Sequence, residues 1–380
     1  MTNLANGRHY LAIPGPSVMP DRVLQAMHQP APNIYEGKLH NLVETLIPDL
    51  KQIACTRHSV AMYICNGHGT WEACLANTLS RDDQILVLVT GRFGRIWGEV
   101  ARALGIRTDI MDFGLHNPVD LDMFAEKIAG DKTHSYKAVL VCQTDTATSV
   151  RNDVQSIGKI LKEQNHPALL MVDAMASLGC DRLEMDDWNI DIVIAGSQKG
   201  LMTPPGLGFV WFSERADEAH KRSNLKTPYW DWAPRARPSQ FYEFFYGTAP
   251  THHLFGLREA LNIILEEGLP QVWNRHAVLS KMIWDQIDIW SMKTSMRMNI
   301  QDPHHRSHSV TAVSMDSPLA TKLRRICEQD YGVTLGIGLG MAEPGTPEAD
   351  GYFRIGHMGH VNAHMVKGLL GCIDLALEKL

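Results

Sequence analysis

The sequence contains no Cys-x-x-Cys pair, no uninterrupted apolar run near the ~18 residues that cross a bilayer, and no large excess of one charge. Seven cysteines, at positions 55, 65, 74, 142, 180, 327 and 372, are an odd number in a chain too long to need disulfide staples, so reduced thiols in a cytoplasm are expected. Thirty-six Lys and Arg stand against 42 Asp and Glu, a net charge of −6 that supplies no global attraction for nucleic acid or an anionic membrane. The first ten residues lack the basic start and apolar stretch of a secretory signal. At the other end, Glu378, Lys379 and Leu380 carry an acid where the peroxisomal address has a small residue. Repeats and low-complexity tracts are missing too. What is present is an ordinary globular composition, 380 residues with 44% hydrophobic and 21% charged, enough chain for two to three domains at ~150 residues each.

Between about 59 and 212, short apolar runs alternate with amphipathic stretches. The runs 60–65, 84–90, 138–142, 169–172, 191–195 and 208–212 are nearly continuous rather than alternating, as strands covered on both faces of a parallel sheet must be. The fold class is therefore α/β. Connections at 97–104 and 153–163 carry apolar stripes at helical spacing. The segment 227–250 breaks this rhythm with Trp230, Trp232, Tyr242, Phe244, Phe245 and Tyr246, too many aromatics to be solvated, and reads as an ordered loop packed on the body or on a partner. Helical patterns follow at 254–267 and 272–289, and 307–380 mixes a strand at 309–313 with helices at 317–329 and 362–379, a smaller α+β domain.

Three stretches carry candidate chemistry. The apolar run 190–196 leads into Ser197, Gln198 and Lys199, which puts a lysine at the carboxyl end of a sheet strand, where open α/β folds build their sites. Partly desolvated, such an amine is suited to trapping a carbonyl; at a strand end it is as readily a solvated surface group. A second strand, 169–173, ends in Asp173, and the separation of 199 − 173 = 26 residues suits neighbouring strand ends. A lysine and an aspartate at one site are the pair pyridoxal phosphate requires, the acid keeping the pyridine nitrogen protonated; alone, Asp173 would read as a helix cap. Third, Asn66, Gly67, His68, Gly69 and Thr70 follow a strand and open a helix at 71–79, an arrangement for anion binding that a tight turn would also use. Gly336, Gly338 and Gly340 lack dinucleotide spacing and read as a mobile loop.

The stretch Gly196, Ser197, Gln198, Lys199 with Pro204, Pro205 and Gly206, together with Val172, Asp173 and the Ala176, Ser177, Leu178, Gly179 run, resembles the fold-type I, class V pyridoxal-phosphate aminotransferases. The resemblance is nearest the alanine–glyoxylate and serine–glyoxylate group and runs from Pro14 to Gly359. It implies a large domain with a mainly parallel seven-stranded sheet plus a smaller α+β C-terminal domain. The expected division is an N-terminal segment, 1–18, packing with the small domain or a partner, a large cofactor-binding domain, 19–255, and a small domain, 256–380.

By the same resemblance, Lys199 holds pyridoxal 5'-phosphate covalently and later moves the proton between the substrate α-carbon and C4′. Asp173 pairs with the pyridinium, Gln198, Gly67 and His68 hold the phosphate, and Thr248 reaches the same group from the second subunit of a homodimer. Thr146 contacts the neighbourhood of the ring hydroxyl, Phe93 stacks on the ring face, and Arg354 grips the substrate carboxylate. Tyr35, in a segment unlike the usual family sequence, and His357 are candidates for setting substrate range. Ala147, Thr148 and Ser149 stand where several relatives have Ser-Thr-Gly, and Phe245 where some have a phosphate-binding tyrosine.

The implied reaction is ping-pong transamination of a small amino acid, serine or alanine, with glyoxylate or pyruvate. Pyridoxamine–pyruvate aminotransferase is the nearest rival, and a non-catalytic binding protein of the same fold is the rival of another class. A cysteine desulfurase would need a cysteine in the 336–351 loop, which has none. No metal site is expected, since His304, His305, His308, His357 and His360 have no acid at ligand spacing.

Overall fold

The structure is a computed structural model and describes residues 4–380. Twelve strands form two sheets among the described residues. In chain order they are β1 (Tyr10–Ala12), β2 (Ser59–Cys65), β3 (Gln84–Val89), β4 (Arg107–Asp112), β5 (Tyr136–Cys142), β6 (Leu169–Asp173), β7 (Ile192–Gly196), β8 (Gly206–Phe212), β9 (Arg297–Met298), β10 (Val310–Ser314), β11 (Val333–Ile337) and β12 (Tyr352–Gly356).

The large sheet has the order β2-β8-β7-β6-β5-β3-β4, with β8 alone running against the other six. All six apolar runs read from the sequence are strands of this sheet. Helices cover both faces, and one core forms on each side of it. β4 escapes sequence reading because it is an edge strand: Arg107, Asp109 and Asp112 leave it partly exposed and without a continuous apolar run.

The small sheet, β1-β11-β12-β10-β9, draws its first strand from the N-terminus and the rest from the C-terminal third. Its own core includes Leu279, Ile283, Leu323, Phe353 and Ile373. A division at 255/256 falls inside the continuous helix Thr251–Glu267, whose Leu254, Leu257, Leu261 and Ile264 belong to the large core. The change of core comes later, between Val272 and Leu279 of the helix Leu269–Ser291.

Two further expectations change. Gly336 lies within β11, and a Cβ there would lie 2.7 Å from Pro14 Cδ, while one at Gly338 would lie 2.3 Å from Tyr352 Cβ. Glycine at 336 and 338 thus serves close packing rather than a mobile loop. The 227–250 segment contains a short helix, Trp232–Ala236, that sinks Trp232 and Arg235 below the surface, and Phe245 is buried as well; Tyr242 and Tyr246 remain exposed.

Gly356, at the end of β12, lies against the N-terminal segment, and an added Cβ would come within 2.0 Å of Ile13 O and 2.7 Å of Pro14 N. Gly356→Ala should therefore lower stability by about 1–3 kcal/mol in denaturant melts. Gly368→Ala, in a helix with nothing within 4 Å of the new carbon, should be neutral or stabilising by up to about 1 kcal/mol.

Candidate active site

The parallel strands of the large sheet deliver their carboxyl ends to one cavity of about 200 Å³. β6 ends in Asp173; β7 runs on to Gln198 and Lys199; β5 leads to Thr144 and Thr146; β2 leads to Asn66, Gly67 and His68; β3 leads to Phe93. Seven of the eight residues expected to hold the cofactor, Lys199, Asp173, Gln198, Gly67, His68, Phe93 and Thr146, line it with Asn66, Trp71, Met175 and Thr144.

Lys199 is placed by the N-terminal segment. Its Nζ donates to the carbonyl of Pro14, Ser17 Oγ donates to the Lys199 carbonyl at 2.7 Å, and Ser17 N donates to Gln198 O at 2.9 Å. The turn that permits this needs Gly15, whose φ is +96° and whose missing Cβ would stand 2.5 Å from Nζ. Burial, with the Arg354 cation nearby, pushes the amine down to about 8 against the pull of Asp173. About a tenth of Nζ is thus unprotonated, and nucleophilic, at pH 7, far more than for an ordinary lysine.

Asp173 is 3% exposed and accepts two hydrogen bonds, from Trp71 Nε1 at 2.8 Å and from Met175 N at 2.7 Å. Burial nevertheless pushes its carboxyl up to about 6; the two donors and Lys199 oppose the shift, and the Asp145 charge adds to it. A cation placed against Asp173 would hold it ionised, which is what a ring nitrogen needs from its partner. Trp71, with its ring edge toward His68 at 4.6 Å and stacked on the buried Trp97 at 6.3 Å, is locked in position. Trp97 therefore backs the site rather than lining it.

Arg354, on β12 of the small sheet, crosses to the large one: Nη1 donates to Thr146 O and Nε to Ile337 O, both at 2.7 Å. Nη2 has no partner among the described residues, so the guanidinium keeps donors for a carboxylate. Burial lowers its pKa to about 10. Asp145, fully buried, supplies the nearest opposite charge and accepts from Phe93 N, Gly94 N and Ala147 N at 2.7, 3.2 and 3.0 Å. It thereby ties the Phe93 turn to the Thr146 loop. Gly91 makes room, since its Cβ would lie 2.4 Å from Asp145 Cγ. Ser149 adopts φ +62° and spans to the small sheet, its Oγ accepting from Ala312 N at 3.1 Å.

At the end of the cavity expected to take a phosphate, Asn66 caps the Gly67–Thr78 helix by accepting from His68 N at 3.1 Å and Gly69 N at 3.4 Å. Of the first three helical N–H groups only that of Gly67 lacks an acceptor among the described residues, so an anion there shares or displaces the Asn66 side chain. The residues fit a phosphorylated pyridine. Gln198 Oε1 and Thr144 Oγ1 are buried without partners beside the cavity. A Cβ at Gly67 or Gly196 would crowd Met175 at 2.7 Å, and the volume suits one substituted ring rather than a dinucleotide.

Three expected site residues are not brought to this cavity. Thr248 and Tyr35, the latter 84% exposed, share a separate surface pocket with Ile34, His40 and Phe241. His357 is fully buried with both ring nitrogens engaged, Nδ1 by His308 O and Nε2 by Thr311 Oγ1, each at 3.0 Å; burial and His276 hold its pKa near 3. It packs as a neutral core histidine and offers nothing to a substrate. Sequence reading missed Pro14, Trp71, Asp145 and Met175. Only Asp145 carried a signal, an acid between two threonines. Among the described residues no three His, Cys, Asp or Glu side chains are grouped as for a metal ion, and no helix is long and apolar enough to cross a membrane.

Because folding raises the Asp173 pKa, the native state holds a proton that the unfolded chain releases between about 3.8 and about 6, so this residue's contribution to stability falls as pH rises through that window. Melts of the cofactor-free protein should show Asp173→Asn gaining on the unaltered chain by about 2 kcal/mol between about pH 4.5 and about pH 7.5. A gap that does not move with pH would mean that Asp173 is not desolvated as described.

The comparisons agree with this geometry. The family model described as "Aminotransferase class-V" matches residues 9–356. The serine–glyoxylate aminotransferase of Arabidopsis thaliana is 33% identical over 374 residues, 98% of this chain and 91% of the relative. Among solved structures, alanine–glyoxylate aminotransferase from Nostoc sp. superposes with a TM-score of 0.86 at 24% identity, covering 99% of this chain and 97% of its own. Pyridoxamine–pyruvate aminotransferase from Mesorhizobium loti gives 0.85 at 24%, covering 97% and 92%. With a family match across residues 9–356 and a relative 33% identical over nearly its whole length, the chain belongs to the class-V aminotransferases.

Proposed function

We propose that this protein transfers the amino group of a small amino acid, serine or alanine, to glyoxylate or pyruvate, using pyridoxal 5'-phosphate held in the Lys199 cavity. The observation that carries the reading is that Lys199 and Asp173 line one cavity while Arg354, from the small sheet, bonds to the carbonyl of Thr146 in its wall and acts on Lys199 by charge. When bound, the cofactor supplies a carbonyl for the amino nitrogen and a ring that accepts electrons.

The side chains divide the remaining work. Asp173 keeps the ring nitrogen protonated, steered by Trp71. Lys199 Nζ, released to the free amine, takes the proton from the substrate α-carbon and returns it one position along. Arg354 fixes the substrate carboxylate, which sets the α-hydrogen relative to Nζ. Gly67, His68 and Gln198 serve the phosphate, Thr146 the hydroxyl side and Phe93 the ring face. Donor and acceptor occupy the same site in turn, so the kinetics are ping-pong.

The assignment of Thr248 and Tyr35 depends on a second copy of the chain. Both stand on an exposed surface with Tyr242 and Tyr246, an aromatic patch that supports a homodimer in which each copy completes its neighbour's site. Seven free cysteines favour a reducing compartment, the cytoplasm.

Absorption spectra before and after L-serine, L-alanine and pyridoxamine, each added alone, rank the donors. Conversion of the bound cofactor by serine or alanine supports the proposal, while pyridoxal release with pyridoxamine and pyruvate favours the vitamin-converting rival. Lys199→Ala should abolish steady-state turnover with an unchanged circular dichroism spectrum, and a folded, active variant would sink the assignment. Arg354→Lys should lower kcat/KM for amino acids by about 10- to 100-fold. In cofactor-free protein, capture of pyridoxal phosphate should quicken nearly tenfold per pH unit up to about 8 and then level off. In Arg354→Met the plateau should move to higher pH, because a neighbouring cation has gone.

A further inference from the structure

Among the described residues, nine buried side-chain polar atoms find no hydrogen-bond partner. Two of them, Gln198 Oε1 and Thr144 Oγ1, belong to residues lining the Lys199 cavity. Three more, Gln143 Oε1, Arg151 Nε and Trp188 Nε1, belong to residues lining a different cleft of about 290 Å³. The mark that identifies the cofactor cavity is therefore repeated, more strongly, at a place the transamination does not use.

We propose that this cleft is a second binding site, for a small 2-hydroxy carboxylate, coupled to the cofactor loop. The two orphaned donors, Arg151 Nε and Trp188 Nε1, call for an anionic acceptor. The orphaned acceptor, Gln143 Oε1, calls for a donor, because the same amide already gives its Nε2 hydrogen to Arg182 O at 2.8 Å. A carboxylate with an adjacent hydroxyl supplies both, whereas a bare carboxylate supplies only the first.

Charge supports an acid. Arg151 is only loosely neutralised, with Nη1 3.9 Å from Asp181, and Nη2 donates to His304 O at 2.7 Å. Arg182, His304 and His305 stand around the opening, and the first turn of the Val154–Glu163 helix faces the cleft. The one carboxylate on the rim, Asp153, is turned to capping duty by Ser156 N at 3.0 Å and Ser156 Oγ at 2.7 Å. Trp188 and Gln143 are 7% and 2% exposed, so the occupant enters by rotation of rim side chains, of which Arg182 and His304 are exposed.

The coupling runs through one hairpin. Asn152 N donates to Gln143 O at 2.8 Å, Asp145 N to Val150 O at 3.1 Å, and Thr144 bridges to Arg151. Gln143 N also donates to Asp173 O at 2.9 Å. Gln143, Arg151 and Asn152 of this hairpin line the cleft, and Thr144 and Thr146 of the same hairpin line the cofactor cavity. Arg151 N donates to His305 O at 2.8 Å, so an occupant also touches the segment leading into the small sheet.

Calorimetric titration with glycolate, the smallest 2-hydroxy acid, and with acetate, which lacks the hydroxyl, tests the site. Arg354→Met serves as background so that the cofactor cavity no longer binds carboxylates. One glycolate per chain with Kd on the order of 1 mM is expected, about tenfold tighter than acetate. Adding Trp188→Phe, or separately Gln143→Met, should weaken it about tenfold without altering the melting point by more than a few degrees. Glycolate should also change the cofactor-release rate of the Arg354→Met holoenzyme by about twofold or more, and adding Trp188→Phe should remove that change. No saturable binding up to about 10 mM, or binding indifferent to Trp188→Phe, overturns the site. Equal affinity for acetate overturns the pairing with Gln143, and an unchanged release rate overturns the coupling. Binding is read without turnover, so the outcome is separate from that of the aminotransferase reading.

Discussion

Keeping Asp173 dry yet ready to ionise is the condition around which the site is arranged. A carboxylate buried in apolar surroundings prefers to hold its proton, and only directed donors or a cation reverse that preference. Trp71 Nε1 and Met175 N bring the carboxyl partway, and a cation set against it would do the rest. The same dryness lowers Lys199, so one exclusion of water readies both partners, the acid for a cation and the amine for a carbonyl. Arg354 reinforces the effect on Lys199 by charge, while Asp145 holds the nearest counterbalance to Arg354 on the far side of the Thr146 loop.

Much of this was legible in the chain. The six apolar runs are strands because both faces of the large sheet are covered, and Lys199 and Asp173 fall at strand ends whose order in the sheet makes them neighbours. The positions that escaped reading share a physical cause: they act across long separations through groups with no local pattern. Trp71 looks like any buried aromatic on a helix until its indole nitrogen is seen on Asp173, 102 residues away. Pro14 acts through a backbone carbonyl, which side-chain identity does not reveal. His357 misled in the opposite sense, since a histidine beside an arginine of the site is just as suited to filling a polar niche in the small-domain core.

The two sheets are not independent platforms. Arg354 reaches from β12 to the Thr146 carbonyl, Ser149 reaches back to β10, and Asn299 Nδ2 donates to Thr148 O at 2.9 Å, so one loop of the large sheet is fastened at three points by the small one. A substrate carboxylate gripped by Arg354 would thus pull on the loop that borders the cofactor cavity. Relative movement of the two sheets and the shape of the cavity are in this way linked through hydrogen bonds.

The pairing of β1 with β11 has a consequence for biogenesis. Tyr10 lies beside Val333, a separation of 333 − 10 = 323 residues, and the short segment continuing from β1 is the one that holds Lys199. As the chain leaves the ribosome, the large sheet can assemble while β1 still has no neighbour and the lysine has no Pro14 carbonyl to anchor it in its final place. Lys199 therefore takes its final, shielded place only after the chain has been made through Val333, well after the strands of the large sheet.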